Sequence, residues 1–353
     1  MPTIQTREHL QRHAAVDDAL GSVAYALDLR NIDLRGVDLT RCHFVACDLR
    51  GADLSDALLT DAILHVCNLS ETNLRGASLS GANLMDCRVL SSDLSDAWLD
   101  GACLAHVDFQ GSTWRNAQLR DVELTGANLS GADLEAASVS SRQVEAADFR
   151  NTRFQLADFA GSNFRKSLVN RWSRFAQCLF DEADLSGLDL RGIDLRRSSF
   201  NLANLSRAKL DEAILQQCSF REAVLEDASM QGVSAELADF EGAKLNRSDW
   251  TKSVLSQANF SGGQAIGARF GASQLRQARF TQADLSSAHL CHATLHHADF
   301  SHATLEHCNL GYAQLHYANF HRTRMGKASL RGAETNAVRV TDPRRAAAED
   351  FQR

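Results

Sequence analysis

Proline is nearly absent from this chain, with two in 353 residues. No proline-rich linker divides it, so one elongated domain is expected in place of the two or three that length alone suggests. Aromatic residues are scarce too, at 7% of the total. No apolar run approaches the roughly twenty residues of a membrane-spanning helix, and the first twenty residues lack a signal-peptide core. Those absences argue against a membrane partner and point to the cytoplasm, or to export without a cleavable signal. The chain has no Gly-rich phosphate loop, no HExxH, no paired CxxC and no Gly-x-Ser-x-Gly elbow. It is therefore read as a non-enzyme with no cofactor, no metal and no catalytic residue. With a net charge of −7 and no basic stripe, direct nucleic-acid binding is not expected.

What is present is a period. Phenylalanine returns every twenty residues at Phe180, Phe200, Phe220, Phe240, Phe260, Phe280, Phe300 and Phe320. Within each interval a large apolar centre recurs every fifth residue, as at Leu185, Leu190, Leu195 and Phe200, mostly two residues after a small one such as Ala183, Ala203, Ala208 and Ala213. A period of five fits neither the 3.6 of an α-helix nor the 2 of a flat strand, and it marks a repeat architecture. Centres run from Leu29 to Phe164 and, after a one-residue slip near Trp172, from Phe175 to Leu330. Seven of the nine cysteines (Cys42, Cys47, Cys67, Cys87, Cys178, Cys218 and Cys308) occupy the small inward slot, while Cys103 and Cys291 fall at outward positions. Packing explains the seven, and two unpaired outward thiols suit a reducing compartment.

The units read Ala-Asp-Leu-Ser-Asp at 52–56, Ala-Asn-Leu-Ser-Gly at 127–131 and Ala-Asp-Leu-Ser-Ser at 283–287. This resembles the pentapeptide-repeat family over nearly the whole chain. The resemblance implies an all-β solenoid, a right-handed quadrilateral parallel β-helix with one unit per side and four per coil. About fifteen coils at strand spacing make a rod of roughly 72 Å, in which the phenylalanines stack in the interior. The expected layout is an N-terminal helical cap over 1–22, a first acidic register over 23–169, and a slip or bulge at 170–174. A second register with the phenylalanine stack follows over 175–335, then a tail over 336–353 with a short helix. The first cap rests on Leu10, Ala14, Ala15, Val16, Ala19 and Leu20. The second starts at Asp342-Pro343 and is anchored by Phe351. Open solenoid ends expose strand edges, so caps are expected, with C-terminal pairing of two copies as the competing use of the tail. Arg142 in an inward slot, and Ala235 and Ala265 in place of large centres, are expected to kink or bulge the coil.

Three groups of residues stand out from the repeat. Eight of the thirteen histidines lie between His289 and His321. The position two after the centre there carries His292, His297, His302, His307, Tyr312 and Tyr317 in succession, an outward belt suited to a partner protein. His296 and His316 lie one coil apart, close enough for a shared divalent ion to be weighed as an alternative to a binding surface. Trp98 takes a position usually held by Asp or Asn, and Trp172 lies at the slip; both are candidate contacts, whereas Trp114 and Trp250 are read as core. Finally, residues 23–170 hold 20 acids against 13 bases, while 171–330 hold 17 of each. Asp56, Asp61, Asp86 and Asp96 sit two after a centre and form the candidate acidic face.

Two functions follow. The first is a bacterial protein-binding scaffold or adaptor, in the manner of secretion or effector assemblies. The second, implied by the family resemblance, is a DNA mimic that binds a type II topoisomerase such as gyrase and inhibits or protects it. The neutral second half and the lack of an inserted loop weigh against mimicry. The partner is another protein, and the chain works as a monomer or a C-terminal homodimer.

Overall fold

The computed structural model describes residues 3–14 and 21–350. It forms a β-solenoid with parallel pairing and few helices, divided into two compact units, Met1–Leu179 and Phe180–Arg353. One local device builds both. The carbonyl of a centre accepts the N–H three residues on, as Leu49 does from Ala52 at 3.0 Å and Phe200 from Ala203 at 3.1 Å. The residue between them, two after the centre, has φ near +60°, as in Asp56 and Glu212. That combination is a type II turn, so each pentapeptide ends in a corner. Four corners make a coil, because each side pairs with the side twenty residues on, for example Asp53↔Asn73 and Lys209↔Ser229.

The polar residue before each centre serves the corner that follows. Asp53 accepts the amide of Ser55 at 3.0 Å, and Asp28 accepts that of Arg30 at 3.2 Å. This side-chain turn explains the Asp and Asn habit of the repeat without invoking function. Where arginine follows, it also closes back on the carboxylate. Arg35 at 2.7 Å holds the Asp33 carboxyl well below the usual range, at about 2.

In the first unit, β1 (Thr3–Ile4), β2 (Val23–Tyr25), β3 (His43–Val45) and β4 (Ile63–His65) form one parallel sheet in sequence order. Helix α1 (Arg7–Ala14) starts at Thr6, whose hydroxyl accepts the His9 amide at 3.1 Å. Leu10 is fully buried, and Arg7 reaches the carbonyls of Arg30 and Asn31, which ties the helix to the first coil. The contributions expected from Ala15, Val16, Ala19 and Leu20 lie outside the described residues. The register changes twice. Ser140 bridges Asp158, eighteen residues on, and Arg153 pairs with Arg174, twenty-one residues on. At the first change the expectation for Arg142 is corrected: Arg142 is exposed, and Ser141 fills the inward slot with its hydroxyl on the Val122 carbonyl at 2.7 Å. At the second, the Asn170 side chain accepts the amides of Trp172 and Ser173, so Trp172 projects outward while Ser173 is buried.

In the second unit the twenty-residue register runs unbroken from Asp184↔Asn204 to Asn319↔Arg339. Phe180 to Phe300 form a column of rings 4.8–5.1 Å apart and within 7° of parallel. The spacing is that of the strands, since each ring rides on its own coil. Trp114 and Trp250 are fully buried, and each indole N–H donates to a serine two residues earlier, Ser112 at 2.6 Å and Ser248 at 2.7 Å. Ala235 and Ala265 do not kink the coil, contrary to the expectation; both are buried and in register. Ala235 shares its coil with Phe240 and Trp250, and Ala265 shares its coil with Phe260 and Phe270. A small centre balances the volume of a second aromatic one.

The tail carries one short helix. Helix α2 (Pro343–Asp350) is capped by Asp342, which accepts the Arg344 amide at 2.8 Å, but it buries none of its own side chains. It leaves Leu330 and Val340 of the last coil 40% and 73% exposed. Phe351 lies outside the described residues.

Candidate functional site

Because residues twenty apart share a corner, the histidine belt divides. His292 and Tyr312 occupy one corner of the second unit, His297 and Tyr317 the next, His302 and Arg322 the third, and His307 and Lys327 the fourth. The side between the first two corners gathers six rings from two successive coils. On one edge the His292 and Tyr312 rings stack at 5.1 Å and 5°. On the other, His297 and Tyr317 stack at 4.9 Å and 9°. Between them lie Thr294 over Gln314, and His296 edge-on to His316 at 4.9 Å. Both tyrosines are about half exposed. The Tyr312 ring lies directly over Gly332, at φ +70°, where a Cβ would meet the ring at 2.6 Å. The close approach of the ring favours glycine there, whereas the positive φ is one that other corner residues such as Glu212 adopt.

Within this side the two central histidines differ. His316 Nε2 meets Glu334 Oε2 at 2.8 Å, whereas His296 Nε2 is buried without a hydrogen-bond partner. Burial, and then the nearby His316, push the His296 pKa below its ordinary value and favour the neutral ring. His316 is thus paired with Glu334, and its ring stands perpendicular to that of His296.

The acidic residues of the first unit are also spread over corners. Asp56 and Asp96 share one, Asp61 takes the next and Asp86 another. Asp96 is not fully outward as expected: it is bound by Arg75 at 2.6 Å and by Asn116 at 3.1 Å. Asp56 and Asp61 lean over Gly76 and Gly81 of the following coil. Trp98 is 55% exposed, in line between Ser78 and Gln118, and Trp172 is 68% exposed.

Burial pushes the Cys178, Cys218 and Cys308 thiols up to about 12, which makes them inert packing groups. Among the described residues no cysteine forms a disulfide.

One cluster carries no sequence signal. Glu349 of α2 places Oε2 3.4 Å from His302 Nε2, 3.3 Å from His321 Nε2 and 3.3 Å from Arg322 Nε. Arg345 holds the other oxygen at 2.9 Å, and Arg322 also reaches Asp350 at 2.7 Å and the Ala346 carbonyl. Glu349 is 28 and 47 residues from its histidines and belongs to no repeat, so neither period nor motif links them.

Corner-built pentapeptide coils with an inert core and side chains displayed in vertical ladders define a class, the pentapeptide β-solenoid. Residues 37–113 match the pentapeptide repeat region model, and 102–140, 171–201, 203–242, 236–271, 273–311 and 300–332 match pentapeptide repeats (8 copies). The chain belongs to the pentapeptide-repeat family. Among solved structures it is similar to HetL, a pentapeptide repeat protein involved in heterocyst differentiation regulation in the cyanobacterium Nostoc. The identity is 22% over 95% of this chain and 97% of that one, with a TM-score of 0.25. It is also similar to full-length QnrB1, a plasmid-mediated fluoroquinolone resistance protein, at 16% identity over 68% of this chain and 98% of that one, TM-score 0.30. A pentapeptide repeat protein of the Arabidopsis thaliana thylakoid lumen is 35% identical over 29% of this chain and 61% of that one, TM-score 0.10. No curated protein matches the chain. Among the described residues, no helix is long and apolar enough to cross a membrane.

Proposed function

We propose that the chain is a non-catalytic scaffold that binds another protein through the side of the second unit carrying His292, His296, His297, Tyr312, His316 and Tyr317. The observation that carries this reading is the pair of stacked His/Tyr ladders bracketing one side. They hold two half-exposed tyrosines rigidly at a fixed separation, where each offers apolar area and a hydroxyl. Such groups lose little freedom on binding, which lowers the ordering cost of association. His302 and His307 lie on other corners and stand outside this surface; Trp98 and Trp172 would be separate contacts in the first unit. The reading includes right-handed winding, about fifteen coils, the register layout expected from sequence, a bacterial cytoplasmic setting and no cofactor. The exposed Leu330 and Val340 favour a C-terminal homodimer over a monomer.

The test is affinity capture from source-cell lysate after nuclease treatment, comparing the native chain with Tyr312→Ala/Tyr317→Ala. A protein retained by the first and lost by the second supports the surface; identical captures remove it.

The second reading, a DNA mimic acting on a type II topoisomerase such as gyrase, is favoured by the surplus of acids in residues 23–170. Duplex DNA carries a charge about every 1.7 Å of its axis, far denser than this surplus. Asp96 is also neutralised by Arg75. A gyrase supercoiling assay decides: inhibition or drug protection that Asp56→Lys, Asp61→Lys and Asp86→Lys abolish would place mimicry first.

A further inference from the structure

We propose that His302, His321 and Glu349 form a binding site for a borderline divalent cation, Zn²⁺ by preference, which pins α2 to the solenoid. The three ligand atoms lie within 4.8 Å of one another. The two Nε2 to Oε2 distances, 3.4 and 3.3 Å, exceed the about 2.7–2.9 Å of a charge-assisted hydrogen bond, the shorter being a long hydrogen bond between His321 and Glu349. They match the spacing of neighbouring ligands in a tetrahedral site, about 3.3–3.4 Å when each lies about 2.0–2.1 Å from the ion. Two imidazoles and one carboxylate are a donor set zinc accepts, with its fourth position left to water. A recess of about 600 Å³ lined by Gln282, His302, Thr304, Arg322, Thr323 and Arg324 opens beside His302 and gives an ion an entry path.

The surroundings set two requirements. Arg322 Nε is paired with the same Glu349 oxygen at 3.3 Å but makes no hydrogen bond, so an ion taking that oxygen weakens an ion pair and breaks no hydrogen bond at Nε. Its guanidinium keeps Asp350 and the Ala346 carbonyl. His321 is the second case. Its Nδ1 accepts the Asp342 amide at 3.2 Å, so the ring proton sits on Nε2. Loading an ion at Nε2 moves that proton to Nδ1, and the Asp342 amide must turn aside. Ion binding is thereby coupled to the chain segment leading into α2. The helix has reason to need a pin, since it buries no side chain and is held by polar contacts at His302, His321 and Arg322.

The experiment is calorimetric titration of Zn²⁺ alone into the chelator-stripped full chain, alongside Glu349→Gln, His302→Ala, His321→Ala and, as a control, His296→Ala/His316→Ala. Glu349→Gln leaves the coils untouched and keeps the test valid should His321→Ala not fold. One equivalent should bind the native chain, more than about tenfold more weakly after Glu349→Gln or loss of either histidine, and unchanged in the control. Tryptic cleavage after Arg344 and Arg345 should slow with zinc in the native chain and not in Glu349→Gln. ¹⁵N spectra should show the His321 proton moving to Nδ1. No binding at mid-micromolar zinc overturns the proposal, as does binding that survives Glu349→Gln or vanishes in the control.

Discussion

Replacing Phe240 by alanine tests the phenylalanine column most directly. The ring is fully buried, stacks at 4.9 Å on both Phe220 and Phe260, and meets Trp250 edge-on at 5.0 Å. Truncating a buried phenylalanine costs about 3–5 kcal/mol, and ring pairs contribute about 0.5–1.5 kcal/mol each beyond area burial. With three ring partners lost, the upper end, about 5 kcal/mol, is expected. Phe320 provides the internal comparison. It has one column neighbour, Phe300 at 5.1 Å, and is 7% exposed beneath an uncovered coil. Phe320→Ala should cost about 2–3 kcal/mol, below the usual range because the site can collapse. Denaturant unfolding gives the totals, and hydrogen exchange locates them: protection should fall in the coils next to residue 240, since each repeat is supported by its neighbours. Equal costs at the two sites, or a Phe240→Ala cost under about 1 kcal/mol, would refute the claim that the column holds the second unit together.

Further outcomes are expected. Ser248→Ala leaves the buried Trp250 indole N–H without its 2.7 Å acceptor and should destabilise by about 1–3 kcal/mol in the same unfolding assay. Thiol reagents at neutral pH should label the folded chain at Cys103 and Cys291 at most and all nine cysteines only after unfolding, with mass spectrometry as the readout. His296 has a folded pKa below its unfolded value, so the unfolded chain binds more protons there. The stability it contributes is present above about pH 6.5 and lost as the pH falls, and melting between pH 7.5 and 5.5 should show a fall that His296→Gln reduces. Gly332→Ala should displace the Tyr312 ring from His292, seen as a change in the His292 ring proton shifts, because a Cβ there would lie 2.6 Å from the tyrosine.

The core was legible from sequence because every coil repeats the same constraint. An inward slot is mostly small and a centre mostly large, as Ala203 and Phe200 are, and each residue carries that signal independently of its neighbours in space. The candidate site was legible only as a list. That His292, His297, Tyr312 and Tyr317 bracket one side while His302 and His307 do not depends on which corner each occupies. Corner position follows from the twenty-residue register and not from the run of histidines.

Composition and period alone determined the repeat class, the inert cysteines and the interior phenylalanine column. Tertiary structure alone decided what breaks the period. Arg142 turns outward because Ser141 can fill its slot and satisfy a carbonyl. Ala235 and Ala265 hold register because an aromatic centre in the same coil supplies the missing volume. Asp96 loses its free charge to Arg75, 21 residues away. Glu349 meets His302 and His321 because α2 folds back across the solenoid. A repeating core is imposed at each coil by local packing and so is written along the chain. Contacts between a tail and a side, or between unlike coils, occur once, and nothing in the linear order marks them.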